Sequence, residues 1–184
     1  MAVTIDKREI YLDNAATTSV YPEVIEAMSE CLRSNFGNPS ALYRLGDSSK
    51  LALTEARGMI AKTLGCSPDE IYFTSGGSES DNWAIKGIAE AYSSKGKHII
   101  TTAIEHKAIL KSCKWLEDHG FEVSYVEPDS RGYIHLNSIR SLIRDDTILV
   151  SVMTANNEIG TLQPIEFIGK LCEEHGIIFH TDAV

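Results

Sequence analysis

From residue 70 onward the apolar positions alternate between short continuous runs and stretches with helical spacing. The runs Ile71-Tyr72-Phe73-Thr74, His98-Ile99-Ile100-Thr101, Phe121-Glu122-Val123-Ser124-Tyr125-Val126, Thr147-Ile148-Leu149-Val150-Ser151-Val152 and Ile177-Ile178-Phe179-His180 are rich in β-branched and aromatic side chains and predict strands. Between them, Ile109, Leu110, Cys113 and Leu116 share one helical face, and Ile165, Ile168, Leu171 and Cys172 share another. Gly96, Gly120 and Gly176 stand where a left-handed residue would close a helix, and Pro164 suits a first helical turn. Strand–helix–strand units of this length predict an α/β fold: a mostly parallel sheet sandwiched by helices.

Before residue 70 the pattern changes. Val24, Ile25, Met28 and Leu32 mark one face of a helix beginning at Pro22 and ending near Ser34, and a second helix is expected over residues 40–64. Asn35-Phe36-Gly37-Asn38-Pro39 is turn chemistry between them. The chain therefore reads as an N-terminal segment, 1–69, followed by an α/β domain, 70–184, with no linker, repeat or low-complexity stretch. Val184 follows directly on a strand with no closing helix. The winding pattern is expected to continue past it, leaving 70–184 as part of a larger domain.

Composition narrows the function without naming one. The 184 residues are 43% hydrophobic and 23% charged, enough for a real core. The net charge is −9 with lysines and arginines scattered singly, so no basic groove for nucleic acid is expected. The four cysteines, Cys31, Cys66, Cys113 and Cys172, lack metal or disulfide spacing and read as plain buried thiols. No signal peptide is apparent, the longest apolar runs fall short of a membrane span, and a reducing compartment such as the cytoplasm follows.

Four places carry candidate chemistry, all expected at the C-terminal edge of the sheet, where such folds bind ligands. Thr74-Ser75-Gly76-Gly77-Ser78-Glu79-Ser80 runs into a helix: its glycines admit a close ligand, the helix-start amides face an anion, and Ser75, Ser78 and Ser80 add hydroxyls. The same stretch would also serve as an ordinary turn with a serine cap. Glu105-His106-Lys107 offers a histidine able to stack on a flat ligand and move protons, although a loop histidine is also a common surface residue. Asn156-Asn157 presents two amides in a loop, and Asp182 sets a carboxylate after an apolar strand, where it needs a cationic or hydroxyl partner.

Taken together these stretches carry a family resemblance. YLDNAATT (11–18), NFGNPS (35–40), EIYFTSGGSESDNWAIKG (70–87), GKHIITTAIEHKAIL (96–110), DDTILVSVMTANNEIGTLQPI (145–165) and GIIFHTDAV (176–184) resemble, in order, the NifS/IscS-type cysteine desulfurases, which are class V, fold-type I pyridoxal-phosphate enzymes. The resemblance implies pyridoxal 5′-phosphate as cofactor, with Gly77 and Ser78 at its phosphate (Ser78 where threonine is usual). It implies His106 stacked on the pyridine ring and handling protons, Asn157 on the ring 3-oxygen, and Asp182 on the ring nitrogen. No metal ligand is implied.

For the whole enzyme it implies a homodimeric transferase that converts L-cysteine to L-alanine. The sulfur would pass as a persulfide to an acceptor or scaffold protein of iron–sulfur cluster assembly or thiolation. Tyr43 stands where family members often have histidine. The family's Schiff-base lysine and sulfur-accepting cysteine match no position here; Lys107 lies inside EHKAIL and is not that lysine. The 184 residues by themselves are accordingly expected to be inactive. Another class V activity, such as selenocysteine lyase or aminotransferase, or a non-catalytic split product, stays open at this point.

Overall fold

A computed structural model describes residues 10–184, which divide between Phe73 and Thr74 into two compact units. In the first, helix α1 (Pro22–Ser34) starts on a proline, which fits a first turn whose amides need no partner. Helix α2 (Arg44–Leu64) ends on Gly65 in the left-handed conformation, φ 71°, and a single 3₁₀ turn, Pro68–Glu70, follows. The turn between the helices requires glycine twice. A side chain on Gly37 would strike the Leu45 carbonyl, and one on Gly46 would strike those of Ala41 and Asn38. Those crowded residues explain why α2 begins at Arg44 and not at residue 40.

The second unit holds helix α3 (Gly77–Tyr92), strand β1 (His98–Thr102), helix α4 (Lys107–Glu117), strand β2 (Glu122–Val126), helix α5 (Leu136–Arg140), strand β3 (Thr147–Ser151), helix α6 (Ile165–His175) and strand β4 (Ile178–His180). All pairings are parallel and the order is β2-β1-β3-β4. Alternation along the strands feeds two cores. Ile99 and Leu149 point to one face, against Ile85 and Ala89 of α3 and Ile109, Cys113 and Leu116 of α4. Ile100 and Val150 point to the other, against Ile139 of α5 and Ile168, Leu171 and Cys172 of α6. The expected sheet sandwiched by helices is therefore the observed architecture. Each fully buried Ile or Leu contributes roughly 1.5–3 kcal/mol.

Four expectations change. Residues 71–74 form no strand; the Ile71 amide donates to the Pro68 carbonyl and its carbonyl accepts from Arg57 Nε at 3.2 Å, and Tyr72 and Phe73 stay exposed. Gly120 (φ 84°) and Gly176 (φ 66°) do adopt left-handed backbone, but Gly96 does not; it is glycine because the Asp146 backbone lies where a Cβ would be. The apolar face of α1 is exposed, since no described residue of its own unit covers Val24, Ile25, Met28 or Leu32. Of the cysteines, Cys113 and Cys172 are buried, Cys66 is half-buried and Cys31 is exposed on α1. Among the described residues no helix is long and apolar enough to cross a membrane.

Candidate functional site

Strand order places the site. The chain goes from β1 outward to β2 and then returns to put β3 on the other side of β1, so the loops after β1 and β3 diverge at a topological switch point. His106 follows β1, Asn156 and Asn157 follow β3, and Asp182 follows β4, all at the C-terminal edge. The start of α3 reaches the same edge: the Cβ that Gly77 lacks would lie 2.9 Å from Val184 Cγ2.

At that helix start the first intrahelical bonds run from the amides of Glu79 and Ser80 to the Gly76 carbonyl, which leaves the amides of Gly77 and Ser78 as the free pair of the first turn. The hydroxyls expected beside them are mostly engaged. Ser75 donates both its amide and its hydroxyl to Glu79 Oε2, each at 2.6 Å, and these bonds hold the Glu79 carboxyl below its usual range. The Ser80 hydroxyl lies 2.7 Å from Thr74 Oγ1. Anion-binding capacity is left with Gly77 and Ser78, the latter exposed.

The loop after β1 is fixed by two side chains. His106 caps α4, its Nδ1 accepting from the Ala108 amide at 3.2 Å, which leaves Nε2 to face the site. Glu105 is buried; its Oε1 accepts from Thr102 Oγ1 at 2.7 Å and from the Met153 amide at 3.0 Å. Its Oε2 has no hydrogen-bond partner among the described residues, and desolvation pushes the carboxyl up to about 7. In the loop after β3 the two asparagines part company. Asn156 is buried, donating to the Ile104 carbonyl at 3.0 Å and accepting from the Glu158 and Ile159 amides, so it builds the loop. Asn157 is exposed and available to a ligand.

A cavity of about 540 Å³ lies between these loops, walled by residues including Ile104, Glu105, His106, Lys107, Asn157 and Ile159. Gly77, Ser78 and Asp182 are not among its walls. His106 is common to the cavity and to a second group, in which side-chain atoms of Asp81, His106 and Asp182 all lie within 4.8 Å of one another. Asp81 is 3% exposed, and burial first, then the Asp182 charge, raise its carboxyl to about 6. Behind it His180 presents Nε2 at 3.9 Å from Asp81 Oδ1, while its Nδ1 lies 2.9 Å from Ser151 Oγ. Burial lowers the His180 pKa, so the imidazole is a neutral partner.

Asp81, Glu105 and His180 were not singled out as site residues by the sequence. For Asp81 the signal existed: it stands four and eight residues before Ile85 and Ala89, on the stripe of α3 that is buried. A carboxylate on an apolar stripe needs a reason.

The donor set suits a flat, anionic, heteroaromatic cofactor. Free amides at a helix start would take its phosphate, the buried Asp81 and half-buried Asp182 a cationic ring nitrogen, His106 a ring face and Asn157 a ring oxygen. Sheet and site together define an α/β domain of the pyridoxal-phosphate enzyme kind. The chain belongs to the class-V aminotransferase family, whose model matches residues 10–184. That family is pyridoxal-phosphate-dependent.

The cysteine desulfurase IscS of Methanosarcina thermophila is 56% identical over 182 residues, covering 99% of this chain and 45% of that protein. IscS of Clostridium botulinum strain Hall is 54% identical over 177 residues, 96% of this chain and 45% of that protein. Among solved structures, a NifS-like protein superposes with a TM-score of 0.93 at 44% identity, over 96% of this chain and 49% of the other. A second, "SspA in complex with cysteine", gives 0.90 at 45% identity, over 94% and 50%. The chain thus spans about half the length of these relatives.

Proposed function

We propose that this chain forms the cofactor-binding part of a cysteine desulfurase that converts L-cysteine to L-alanine. The sulfur passes as an enzyme persulfide to an acceptor or scaffold protein of iron–sulfur cluster assembly or thiolation. The observation that carries this reading is the meeting of Asp182, Asp81 and His106 within 4.8 Å at the sheet edge. The strong likeness to desulfurases of two organisms supports it.

Pyridoxal phosphate, when bound, supplies an electron sink for the substrate's Cα. The residues here bind and tune it. The Gly77 and Ser78 amides would hold the phosphate, and Asp182 would keep a proton on the ring nitrogen. Asn157 would donate to the ring oxygen, and His106, its Nδ1 tied to Ala108, would stack on the ring and leave Nε2 for proton transfer. The aldehyde-binding lysine and the sulfur-accepting thiol are assigned to no residue of this chain. Lys107, though it walls the cavity, is not given that role. Two copies associate as a homodimer in the cytoplasm.

The test is to express the complete reading frame, confirm its intact mass, and measure alanine from L-cysteine against a cofactor-only blank. Saturable alanine formation is expected. A protein that binds the cofactor but yields alanine only at the blank rate, or only selenium from L-selenocysteine, overturns the desulfurase assignment.

A further inference from the structure

Asp81 is a buried carboxyl of the site whose one ion-pair contact among the described residues is His180 Nε2, at 3.9 Å. It is 3% exposed, and no hydrogen bond reaches it among the described residues. Its oxygen faces the Asp182 carboxyl and the His106 ring within 4.8 Å. A buried carboxylate without donors is costly, and a second carboxylate beside it makes ionising both costlier still. Such an arrangement persists in a fold when something arrives to complete it.

We propose that Asp81 is a positioning residue for the ring-nitrogen subsite: a second carboxylate that keeps a proton against Asp182 while the site is empty and releases it when a cationic pyridine ring settles there. The inference rests on the cofactor reading above. Below about pH 6 the pair in the empty site carries one negative charge. A ring cation held by Asp182 would offset the repulsion, so Asp81 would ionise and add a second negative charge beside the first. His180, its Nδ1 2.9 Å from Ser151 Oγ, lies 3.9 Å from Asp81 Oδ1.

The charged and titratable groups facing Asp81 are Asp182 and His180 from the β4 segment and His106 and the buried Glu105 from the loop after β1. The sign of the pH effect follows. The empty-site carboxyl is raised to about 6, first by desolvation and then by Asp182. A bound cation lowers it, so binding releases a proton below that pH. Affinity for a cationic ring therefore rises with pH, on the order of tenfold across roughly pH 5 to 7, and then levels.

The test uses the product of the complete reading frame, stripped of cofactor. Pyridoxamine 5′-phosphate is the probe, because its amine cannot join a lysine. Its Kd is measured across that pH range for the parent and Asp81→Asn. The probe's own phosphate titrates nearby in both proteins, so the difference between the two slopes isolates Asp81. The expected result is a slope shallower by up to one proton in Asp81→Asn; equal slopes overturn the proposal. Should the variant fold poorly, carbon-13 NMR of the Asp81 carboxyl in the parent decides. A titration midpoint that falls when the probe binds supports the proposal, and one that stays put overturns it. A parent protein that does not bind the probe at all refutes the cofactor reading itself, and the inference with it.

Discussion

Gly77 and Val184 touch across the sheet edge: a Cβ on the glycine would come to 2.9 Å from Val184 Cγ2. A methyl on Gly77 would have to push aside the Val184 side chain, two residues after Asp182, so Gly77→Ala is expected to disturb the helix start and the Asp182 segment together. The expected outcome is a roughly threefold to tenfold rise in the Kd for pyridoxal phosphate, from an ångström-scale misplacement of binding groups. Unfolding should change little, because Val184 is exposed. Titration by cofactor fluorescence, beside a melting curve, checks both.

Asp182 is expected to matter for rate more than for occupancy. Asp182→Ala in the complete protein should lower turnover on the order of 10²–10³, the usual cost of one preorganised electrostatic group, while phosphate and stacking contacts retain the cofactor. Alanine production per bound cofactor is the measurement. Near-normal turnover would remove Asp182 from the mechanism.

Asn156 and Asn157 are neighbours with opposite expected phenotypes. Asn156→Ala leaves the Ile104 carbonyl and the Glu158 and Ile159 amides short of partners and should cost about 1–3 kcal/mol of stability. Asn157→Ala, at an exposed position, should change stability by less than about 0.5 kcal/mol yet weaken cofactor binding. Paired denaturant melts and cofactor titrations separate the two.

Glu105 makes stability depend on pH. Its folded pKa of about 7 stands above the ordinary carboxylate value of 4.5, chiefly through desolvation. Protonated, it favours the fold; that stability is fully present below the unfolded pKa and is lost as pH rises from about 4.5 through about 7. Asp81, raised to about 6, adds loss over the lower part of the same window. Glu105→Gln removes the larger contribution and keeps an oxygen for Thr102 and Met153, so its Tm should fall less across that window than the parent's. Parallel Tm–pH curves for the two proteins would refute this.

Gly58 lies inside α2 with open space where its Cβ would be. Gly58→Ala should stabilise the protein by roughly 0.5–1 kcal/mol, because alanine loses less backbone freedom on entering a helix. A raised Tm with unchanged cofactor affinity is the expected readout.

The sequence by itself determined the layers and pointed to candidate site residues. Period-2 and period-3.6 patterns are local, so β1 through β4, α4 and α6 could be read one at a time, and Gly77, Ser78, His106, Asn157 and Asp182 announced themselves through turn chemistry and motif. Pairing and burial are not local, and the tertiary structure alone decided them. Residues 71–74 have a strand's composition but join no ladder among the described residues, the Ile71 amide and carbonyl bonding instead to Pro68 and Arg57. Gly96 looks like a helix cap until Asp146 is seen pressing on it. The Asn156–Asn157 pair is symmetric in sequence and divided in space, because only Asn156 finds backbone to bind. Asp81 is hidden for the same reason. Its position on α3 gives it a buried face, but only the packing of α3 against the end of β4 sets a second carboxyl beside it, and that nearness is what gives it chemistry.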